Sequence, residues 1–381
     1  MKNPKNHNNP FPPAGMLLTL LGILSFVGLT GFYKIQNSPE TADSAKQQYY
    51  QVSDFGKVPK IDVHFHYNSS DTRYLLYADS LNFRLISPNV DTEIPIDHQL
   101  KIAQNIKKKY PNQFAFWGTF SVDSFQSSNF AAKTIDRINK CMKAGACGIK
   151  IWKNIGMSLL DKDGKYAMVD NPKFDPVFNY LEKQKIQLIA HLGEPKNCWL
   201  PLDRMTTAND KRYYSSHPEY HMYLHPEAPS YEDQISARNH LLQKHPSLAY
   251  IGAHLSSEEW SIEELAKSFD RYPELQADLA ARVSHLQYQS AKDRESVRNF
   301  LIKYQDRILY GTDMSVNEKD TLYRTVRNGM KKYWVNQWIY LATDSSMFFM
   351  ETPDRKIKGL QLPKEVIDKI FCKNAERFFQ K

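Results

Sequence analysis

The chain has 381 residues, 41% hydrophobic and 13% aromatic, so it can bury one large core or two medium ones, and a disordered or low-complexity protein is excluded. Its 50 Lys and Arg residues against 42 Asp and Glu residues give a net charge of +8, but no run of like charges concentrates the excess. This spread indicates a solvated basic surface and argues against a nucleic-acid partner.

The first element is an apolar segment at residues 14–33 that contains no charged side chain. At 1.5 Å per residue a helix there is roughly 30 Å long, enough to span a bilayer. It follows a leader at 1–13 and precedes a polar tether at 34–57. We predict an uncleaved membrane anchor with the rest of the chain outside the cytoplasm, in the periplasm if the source is bacterial. A cleaved signal that releases a secreted protein, or a buried core helix, is the alternative.

From residue 58 onward, short apolar runs alternate with amphipathic stretches. The runs predict eight strands, at 61–66, 82–87, 114–122, 146–152, 186–191, 248–254, 275–280 and 307–312. The other stretches predict helices at 97–109, 129–143, 175–185, 230–244, 261–269, 291–304 and 362–379. Eight strand–helix units in about 250 residues are typical of an α/β TIM (β/α)8 barrel. We therefore predict one barrel over residues 58–381, with the last helix covering its outside or bottom.

One connection, at residues 195–229, is longer than an ordinary barrel loop and rich in aromatic and histidine side chains. Loops of this length inside compact domains usually form lids or binding walls. We predict a wall over the functional site. A decorative loop or a contact within a homo-oligomer is the alternative.

The predicted first strand ends in His64-Phe65-His66. Side chains alternate along a strand, so both imidazoles face one side and can converge on a cation. His191, His254 and Asp313 also end predicted strands, at the edge where barrel enzymes place catalysis. Any one of these residues alone is more simply a cap or a satisfied core group. Their intervals, however, fit whole strand–helix units, which predicts a shared metal site.

Five motifs in this order resemble the amidohydrolase superfamily. They are HFH at 64–66, GIK at 148–150, AHLGEP at 190–195, GAHL at 252–255 and YGTD at 310–313. The narrower resemblance is to the amidohydrolase-related family of metal-dependent hydrolases and aminocarboxymuconate-semialdehyde-type decarboxylases. It covers about residues 58–381, including a closing segment at 359–379.

The resemblance implies that His64, His66, His191 and Asp313 bind a divalent metal, most often Zn²⁺, with Mn²⁺ and Fe²⁺ as alternatives. It implies that His254 binds a second metal or contacts the substrate. Three neutral imidazoles and one carboxylate leave the ion at net +1, with room for a water whose pKa it lowers toward about 7. Asp313 is then predicted to accept the proton of that water and deliver it to the leaving group. His254 is predicted to stabilise an oxyanion or orient the substrate.

Lys150, in the predicted fourth strand, stays ambiguous. In binuclear relatives a lysine at this position is carboxylated by CO₂ and bridges two metals. An unmodified ammonium that pairs with Asp313 or with a substrate carboxylate is the alternative, and we favour one ion over two.

Glu194, Arg282 and Trp199 are predicted substrate contacts. Arg282 and Asp278 follow the seventh strand, where relatives often grip substrate, and a guanidinium suits a carboxylate. Each residue also has an ordinary alternative: a surface carboxylate for Glu194, a structural salt bridge for Arg282 and packing for Trp199.

These features predict a hydrolase of a small-molecule amide, cyclic amide or lactone that acts through a metal-activated water. Nonoxidative decarboxylation of an unsaturated or aromatic carboxylic acid uses the same ligands and is the alternative. A non-catalytic, membrane-tethered binding barrel is a further alternative.

Overall fold

The computed structural model describes residues 48–380 except 93, 321, 350 and 351. The predicted leader and anchor, and most of the predicted tether, lie outside the described residues. Within the described part of the chain, none of the helices combines the length and the apolar character that a bilayer crossing requires.

The barrel is built from parallel strands. Their bounds are β1 Lys60–Asp62, β2 His66–Asn68, β3 Phe83–Pro88, β4 Phe114–Thr119, β5 Gly148–Ile151, β6 Leu188–Ala190, β7 Tyr250–Gly252, β8 Leu275–Asp278, β9 Ile308–Leu309 and β10 Ser315–Asn317. One curled eight-stranded sheet has the order β1, β3, β4, β5, β6, β7, β8, β9, and β2 pairs with β10. Backbone hydrogen bonds from Val63 N–H to Tyr310 O (3.0 Å) and from Asp313 N–H to His64 O (2.8 Å) bridge its two edges. Each of the eight strands overlaps one of the eight predicted runs, so the TIM-barrel-like α/β fold is confirmed. The first run, 61–66, is divided between β1 and β2, and His64 lies between these two strands.

Helices cover the sheet. They are α1 Arg73–Ser80, α2 Ile96–Lys109, α3 Phe130–Lys143, α4 Asp175–Lys183, α5 Ala208–Ser216, α6 Tyr231–Lys244, α7 Ile262–Arg271, α8 Val283–Ser290, α9 Arg294–Lys303, α10 Tyr323–Ala342 and α11 Lys364–Phe371. The short turns Asn154–Met157 and Ala253–Ser256 contain non-helical backbone. In α3 the buried side chains of Phe130, Thr134, Ile138 and Cys141 recur at helical spacing, so one stripe faces the sheet.

Four helices, α1, α5, α8 and α10, have no counterpart in the sequence prediction, and neither does a hairpin of β11 Ser346–Phe349 and β12 Thr352–Lys358. The start of α10 is difficult to predict from the sequence, because Leu322 at the N-cap position has no side-chain oxygen to accept a backbone hydrogen bond.

The C-terminal segment closes the bottom of the barrel. The predicted single helix over 362–379 is instead α11 followed by a 3-10 segment, Lys373–Phe379, because the backbone of Cys372 leaves the helical region (φ −142°, ψ −65°). Phe378 packs edge-on against Trp117 with ring centroids 4.7 Å apart. Asn374 donates to Ile308 O at 2.8 Å, at the beginning of β9.

The 195–229 insertion folds as short helical pieces around a small apolar cluster. Val90, Trp152, Met157, Cys198, Tyr214, Tyr220 and Met222 form this cluster. Val90 follows β3 and Trp152 follows β5, so the insertion lies over the carboxyl ends of the strands.

The described end of the predicted tether packs on the barrel. The Tyr50 ring lies 5.4 Å from that of Trp338, and Gln51 O accepts the Trp338 indole N–H at 3.1 Å. Phe55 is buried beside Phe83, with ring centroids 6.0 Å apart. The chain therefore joins the barrel next to the C-terminal half of α10.

Candidate metal centre

Three ligand-type side chains meet where the first and last strands of the sheet end. Asp313 Oδ1 lies 3.1 Å from His66 Nε2 and 3.4 Å from His64 Nε2. The ligand atoms of the three residues lie within 4.8 Å of one another. His64 is buried, whereas the side chains of His66 and Asp313 are 19% and 20% exposed. The group is therefore open to solvent on the side of His66 and Asp313.

The buried carboxylate of Asp62 ties the two strand ends together. Its Oδ1 accepts the backbone N–H groups of His64 (3.2 Å) and Thr312 (3.1 Å). Its Oδ2 accepts the Thr312 hydroxyl (2.6 Å) and the Trp334 indole N–H (3.2 Å). Burial raises the pKa of Asp62 to about 6, although these hydrogen bonds lower it. Asp313 follows in the left-handed region, at φ 63°, which Asp and Asn adopt more readily than most residues.

A second buried carboxylate, Asp278 at the end of β8, orients two histidines. Its Oδ2 accepts the Nδ1 proton of His64 at 2.8 Å, and its Oδ1 accepts the backbone N–H groups of His254 (2.7 Å) and Ala280 (3.1 Å). The His64 tautomer is thereby set so that Nε2 is the unprotonated nitrogen, the form that a metal needs. His64, His254 and Asp278 also cluster within 4.8 Å, but hydrogen bonds already occupy both Asp278 oxygens. We interpret this group as support for the ligands.

His191 and His254 lie beside the three-residue group. The His254 ring centroid lies 4.8 Å from that of His64 and 4.2 Å from that of His191. His254 Nδ1 donates to Ala280 O at 2.9 Å, so its Nε2 is also the lone-pair nitrogen. Among the described residues neither His191 Nε2 nor His254 Nε2 has a hydrogen-bond partner, and both atoms are buried. A buried polar atom left unpaired costs about 1–3 kcal/mol, so each of these nitrogens is suited to accept a hydrogen bond or to bind a cation.

The backbone that carries His254 is strained. His254, Leu255, Ser256 and Ser257 have φ values of 60°, 54°, 57° and 60°, so four consecutive residues occupy the left-handed region. None of them is glycine, and this conformation costs other residues about 1–2 kcal/mol each. Nothing in the sequence indicated it, because glycine is the usual signal for such a turn.

Lys150 lies inside the group. Its Nζ is 3.3 Å from His64 Nε2 and is completely buried. Burial lowers the pKa of Lys150 to about 8, while Asp278 and Asp313 raise it. No carboxylate oxygen of the described residues lies within 4 Å of Nζ, so Lys150 does not form the ion pair with Asp313 that one alternative expected. A lysine with this pKa is partly neutral near neutral pH, the form that reacts with CO₂.

Burial also sets the protonation of the ligands. It lowers the pKa values of His64, His191 and His254 below the usual histidine range. For Asp313 burial acts to raise the pKa, but the neighbouring histidines outweigh it and hold that pKa well below the usual range. Burial also acts to raise the pKa of Asp278, but His64 outweighs this effect, so the pKa is about 2. Neutral imidazoles and ionised carboxylates are the forms that bind a divalent cation.

Glu194 is turned toward His191. Its Oε2 lies 4.0 Å from His191 Nε2, and its Oε1 accepts a hydrogen bond from Lys153 Nζ. Glu194 and Lys153 are both buried, so Glu194 is not a surface carboxylate. Lys153, which follows β5, was not predicted as a site residue.

Arg282 lies between the centre and the insertion. Its Nη1 donates to Ala281 O at 3.2 Å, and its buried Nε has no partner among the described residues. Burial lowers its pKa, but Asp210 of the insertion and Glu259 raise it above the usual value. No carboxylate oxygen in the described part of the chain comes within 4 Å of the guanidinium, while Asp210 pairs with His285 at 3.2 Å.

Trp199 holds the insertion together. Its indole N–H donates to Pro229 O at 3.1 Å, and its ring lies 5.7 Å from that of Tyr231. These contacts join the two ends of the insertion and do not involve the histidines.

The donor set therefore fits a divalent cation. His64, His66, His191 and Asp313 offer the imidazole nitrogens and carboxylate oxygen that zinc-type ions prefer, and the unpartnered His191 nitrogen is the observation that tests the fit. His191 lies outside the compact three-residue group and adjoins it through the His254 ring.

Comparisons with known proteins agree with this description. The amidohydrolase family profile matches residues 108–381. No curated protein matches the chain. An uncharacterised TIM-barrel protein from Bordetella bronchiseptica is similar in structure, with a TM-score of 0.50 and 13% identity over 84% of this chain and 98% of that one. Dihydroorotase from Saccharomyces cerevisiae aligns with a TM-score of 0.42 and 11% identity over 88% and 86%. A 4-oxalomesaconate hydratase from Rhodopseudomonas palustris aligns with 0.43 and 10% over 84% and 95%. The likeness to the Bordetella bronchiseptica protein shows the fold alone.

Proposed function

Because this chain belongs to the amidohydrolase family, whose enzymes are metal-dependent, we propose that it hydrolyses a small-molecule amide, cyclic amide or lactone with one divalent ion, Zn²⁺ in the first place. The observation that carries the proposal is the pair of buried, unpartnered nitrogens of His191 and His254 beside His64, His66 and Asp313. Hydrogen bonds already occupy both Asp278 oxygens, which argues against a second ion in the group of His64, His254 and Asp278.

When bound, the cation would polarise the substrate carbonyl and lower the pKa of a water beside it. Asp313 is placed to move the proton. Its low pKa keeps it ionised, and its Oδ1 faces His64 and His66, which leaves Oδ2 to accept a proton from the attacking water. The same oxygen can then deliver that proton to the leaving nitrogen or oxygen.

His254 acts as an acceptor. Its Nδ1 proton is bound by Ala280 O, and burial keeps the ring neutral, so Nε2 has a lone pair and no proton. An oxyanion needs a donor, so the tautomer favours orienting a substrate N–H or a water over stabilising the oxyanion.

Arg282 and Glu194 are proposed substrate contacts, with Trp199 supporting the wall that covers them. Arg282 has a buried N–H without a partner among the described residues, as recognition of a substrate carboxylate requires. Glu194 Oε2 lies 4.0 Å from His191 Nε2, at the beginning of the insertion.

The reaction class is tested by turnover in H₂¹⁸O with a panel of cyclic amides, lactones and unsaturated or aromatic acids. We expect one ¹⁸O atom in the new carboxylate of an amide or lactone product, because water is the nucleophile. His191→Ala should lose this activity, and the matched surface variant His240→Ala should keep it, since His240 is exposed. Release of CO₂ from an acid without incorporation of label would replace hydrolysis by decarboxylation.

We also propose that residues 14–33 anchor the protein in a membrane with the barrel outside the cytoplasm. The basic surface supports a position of the barrel beside a membrane. Helix α10 carries Arg324, Arg327, Lys331 and Lys332 and no acidic residue, and none of the four forms an ion pair with the described residues. Such a surface is attracted to anionic lipid. The chain also joins the barrel against this helix, at Trp338.

Carbonate extraction of membranes tests the anchor. The full-length chain should stay in the pellet, whereas Ile23→Arg with Leu24→Arg should release it, because each arginine at the centre of a span costs about 2.5–3.5 kcal/mol. Gln36→Arg with Asn37→Arg, in the tether, is the matched control and should stay bound. A soluble wild-type chain that has lost its N-terminal residues would support the cleaved signal instead.

A further inference from the structure

The left-handed turn at residues 254–257 is held by contacts from outside it. Its residues are at most 5% exposed, and the chain folds back so tightly that a Cβ at Gly252 would overlap Ser256 Oγ. L-residues prefer the right-handed region, so four of them in succession stay left-handed only where the surroundings impose it.

A buried ion pair provides the main restraint. Arg238, on α6, donates through Nη1 to Ser256 O (2.8 Å), to Ser256 Oγ (2.9 Å) and to Glu258 Oε2 (2.9 Å). Ser268 completes the pair, because its hydroxyl donates to Glu258 Oε1 at 2.8 Å and accepts Arg238 Nη2 at 3.1 Å. Arg238 is 1% exposed and Glu258 is 6% exposed, so the pair lies in the interior. It holds the turn through the hydrogen bond from Arg238 to the backbone carbonyl of Ser256.

Two further hydrogen bonds fix the end of the turn. The Tyr231 hydroxyl donates to Ser257 O at 2.6 Å, and the Ser257 hydroxyl donates to Leu192 O at 2.6 Å. Leu192 directly follows His191. The turn that presents His254 is therefore bonded to the residue next to His191, and the two rings lie with their centroids 4.2 Å apart.

We propose that Arg238 is a positioning residue. By holding residues 254–257 in the left-handed conformation, it fixes the Nε2 atoms of His254 and His191 at the metal centre, although it touches neither ring. The catalytic consequence rests on the proposed function, whereas the conformational consequence does not.

The test is a double-mutant cycle in the full-length chain, with Arg238→Met, Ser256→Gly and the combination. We measure the Zn²⁺ dissociation constant by competition with a chromophoric chelator, and the Tm of the metal-free protein. Arg238→Met should weaken Zn²⁺ binding by about 10-fold or more, as losses outside the ligand shell typically do. Glycine adopts the left-handed region without strain, so Ser256→Gly should recover most of that loss and raise the Tm more in the Arg238→Met protein than in the wild type.

Ser236→Gly is the matched control, because Ser236 is exposed on the same helix as Arg238, where glycine relieves nothing. It should lower the Tm slightly and recover no Zn²⁺ affinity. If Arg238→Met cannot be purified because Glu258 is left buried and unpaired, Tyr231→Phe removes a single restraint on Ser257 O, with Tyr180→Phe as its control. Tyr231→Phe should weaken Zn²⁺ binding severalfold, and Ser256→Gly should again recover it.

Wild-type Zn²⁺ affinity in both Arg238→Met and Tyr231→Phe overturns the inference, and so does equal recovery by Ser236→Gly. Failure of the proposed function looks different. If the wild-type chain binds no Zn²⁺, the proposed function is wrong. The Tm values of the single and double variants still show whether Arg238 holds the turn. If the wild-type chain binds Zn²⁺ and hydrolyses substrate, but the effects of Arg238→Met and Ser256→Gly on Tm and Zn²⁺ affinity simply add, only the inference about Arg238 is wrong.

Discussion

Replacement of Asp313 by asparagine is expected to remove most turnover while leaving part of the metal site intact. Asparagine has nearly the same shape, tolerates φ 63°, and can keep the backbone hydrogen bond to His64 O. Its amide oxygen can still face the cation, but the amide cannot accept the proton of the attacking water. We expect kcat to fall by about 10²–10⁴-fold, the usual contribution of a positioned general base.

Metal content and kcat are measured on the same samples, because the prediction is that kcat falls much more than the metal content. Asp97→Asn is the control: it removes one carboxylate from the surface, where Asp97 is 69% exposed beside Arg137 and Lys140. It should leave kcat and metal content unchanged. A wild-type rate in Asp313→Asn would show that the base is a different residue. If kcat falls only in proportion to the metal content, Asp313 is a metal ligand and does not act as the general base.

Removal of the metal is expected to lower both activity and thermal stability. Without a cation, the buried nitrogens of His191 and His254 remain unpaired. A ligand present at about 1,000 times its Kd stabilises the folded state by about 4 kcal/mol, so we expect the Tm to fall by roughly 5–10 °C on chelation. Scanning calorimetry before and after dialysis against a chelator measures the shift, and added Zn²⁺ should restore both the Tm and the activity.

His191→Ala provides the control for metal removal. A chain without this ligand should show little change in Tm when the chelator is added, because it holds the ion weakly beforehand. If chelation changes neither the Tm nor the activity of the wild-type chain, the residues around His64 do not hold a functional ion.

The strands of the barrel and the position of the candidate site were predictable because both follow from short-range pattern. Each strand is an apolar run of a few residues, and His64, His191 and Asp313 stand where such runs end. Parallel strands place these ends at one edge, so residues far apart in the chain can be predicted to meet even when their partners are not known.

The supporting residues were not predictable, because their roles depend on pairings across the fold. Asp278 meets His64 across 214 residues and Asp62 meets Trp334 across 272. In the sequence both are ordinary acidic residues near strand ends. The turn at 254–257 lacks glycine, so its conformation is imposed by Arg238 and Asp278, which no local pattern connects to it.

A crystal structure with anomalous data at the zinc edge tests whether the side chains at the strand ends hold one catalytic divalent ion. The crystals should be grown with Zn²⁺ and a known CO₂ supply, so that the state of Lys150 is also seen. We expect one anomalous peak per chain, within bonding distance of His64, His66, His191 and Asp313. No peak at these residues in a crystal supplied with Zn²⁺, or a peak only at Asp278, would contradict it.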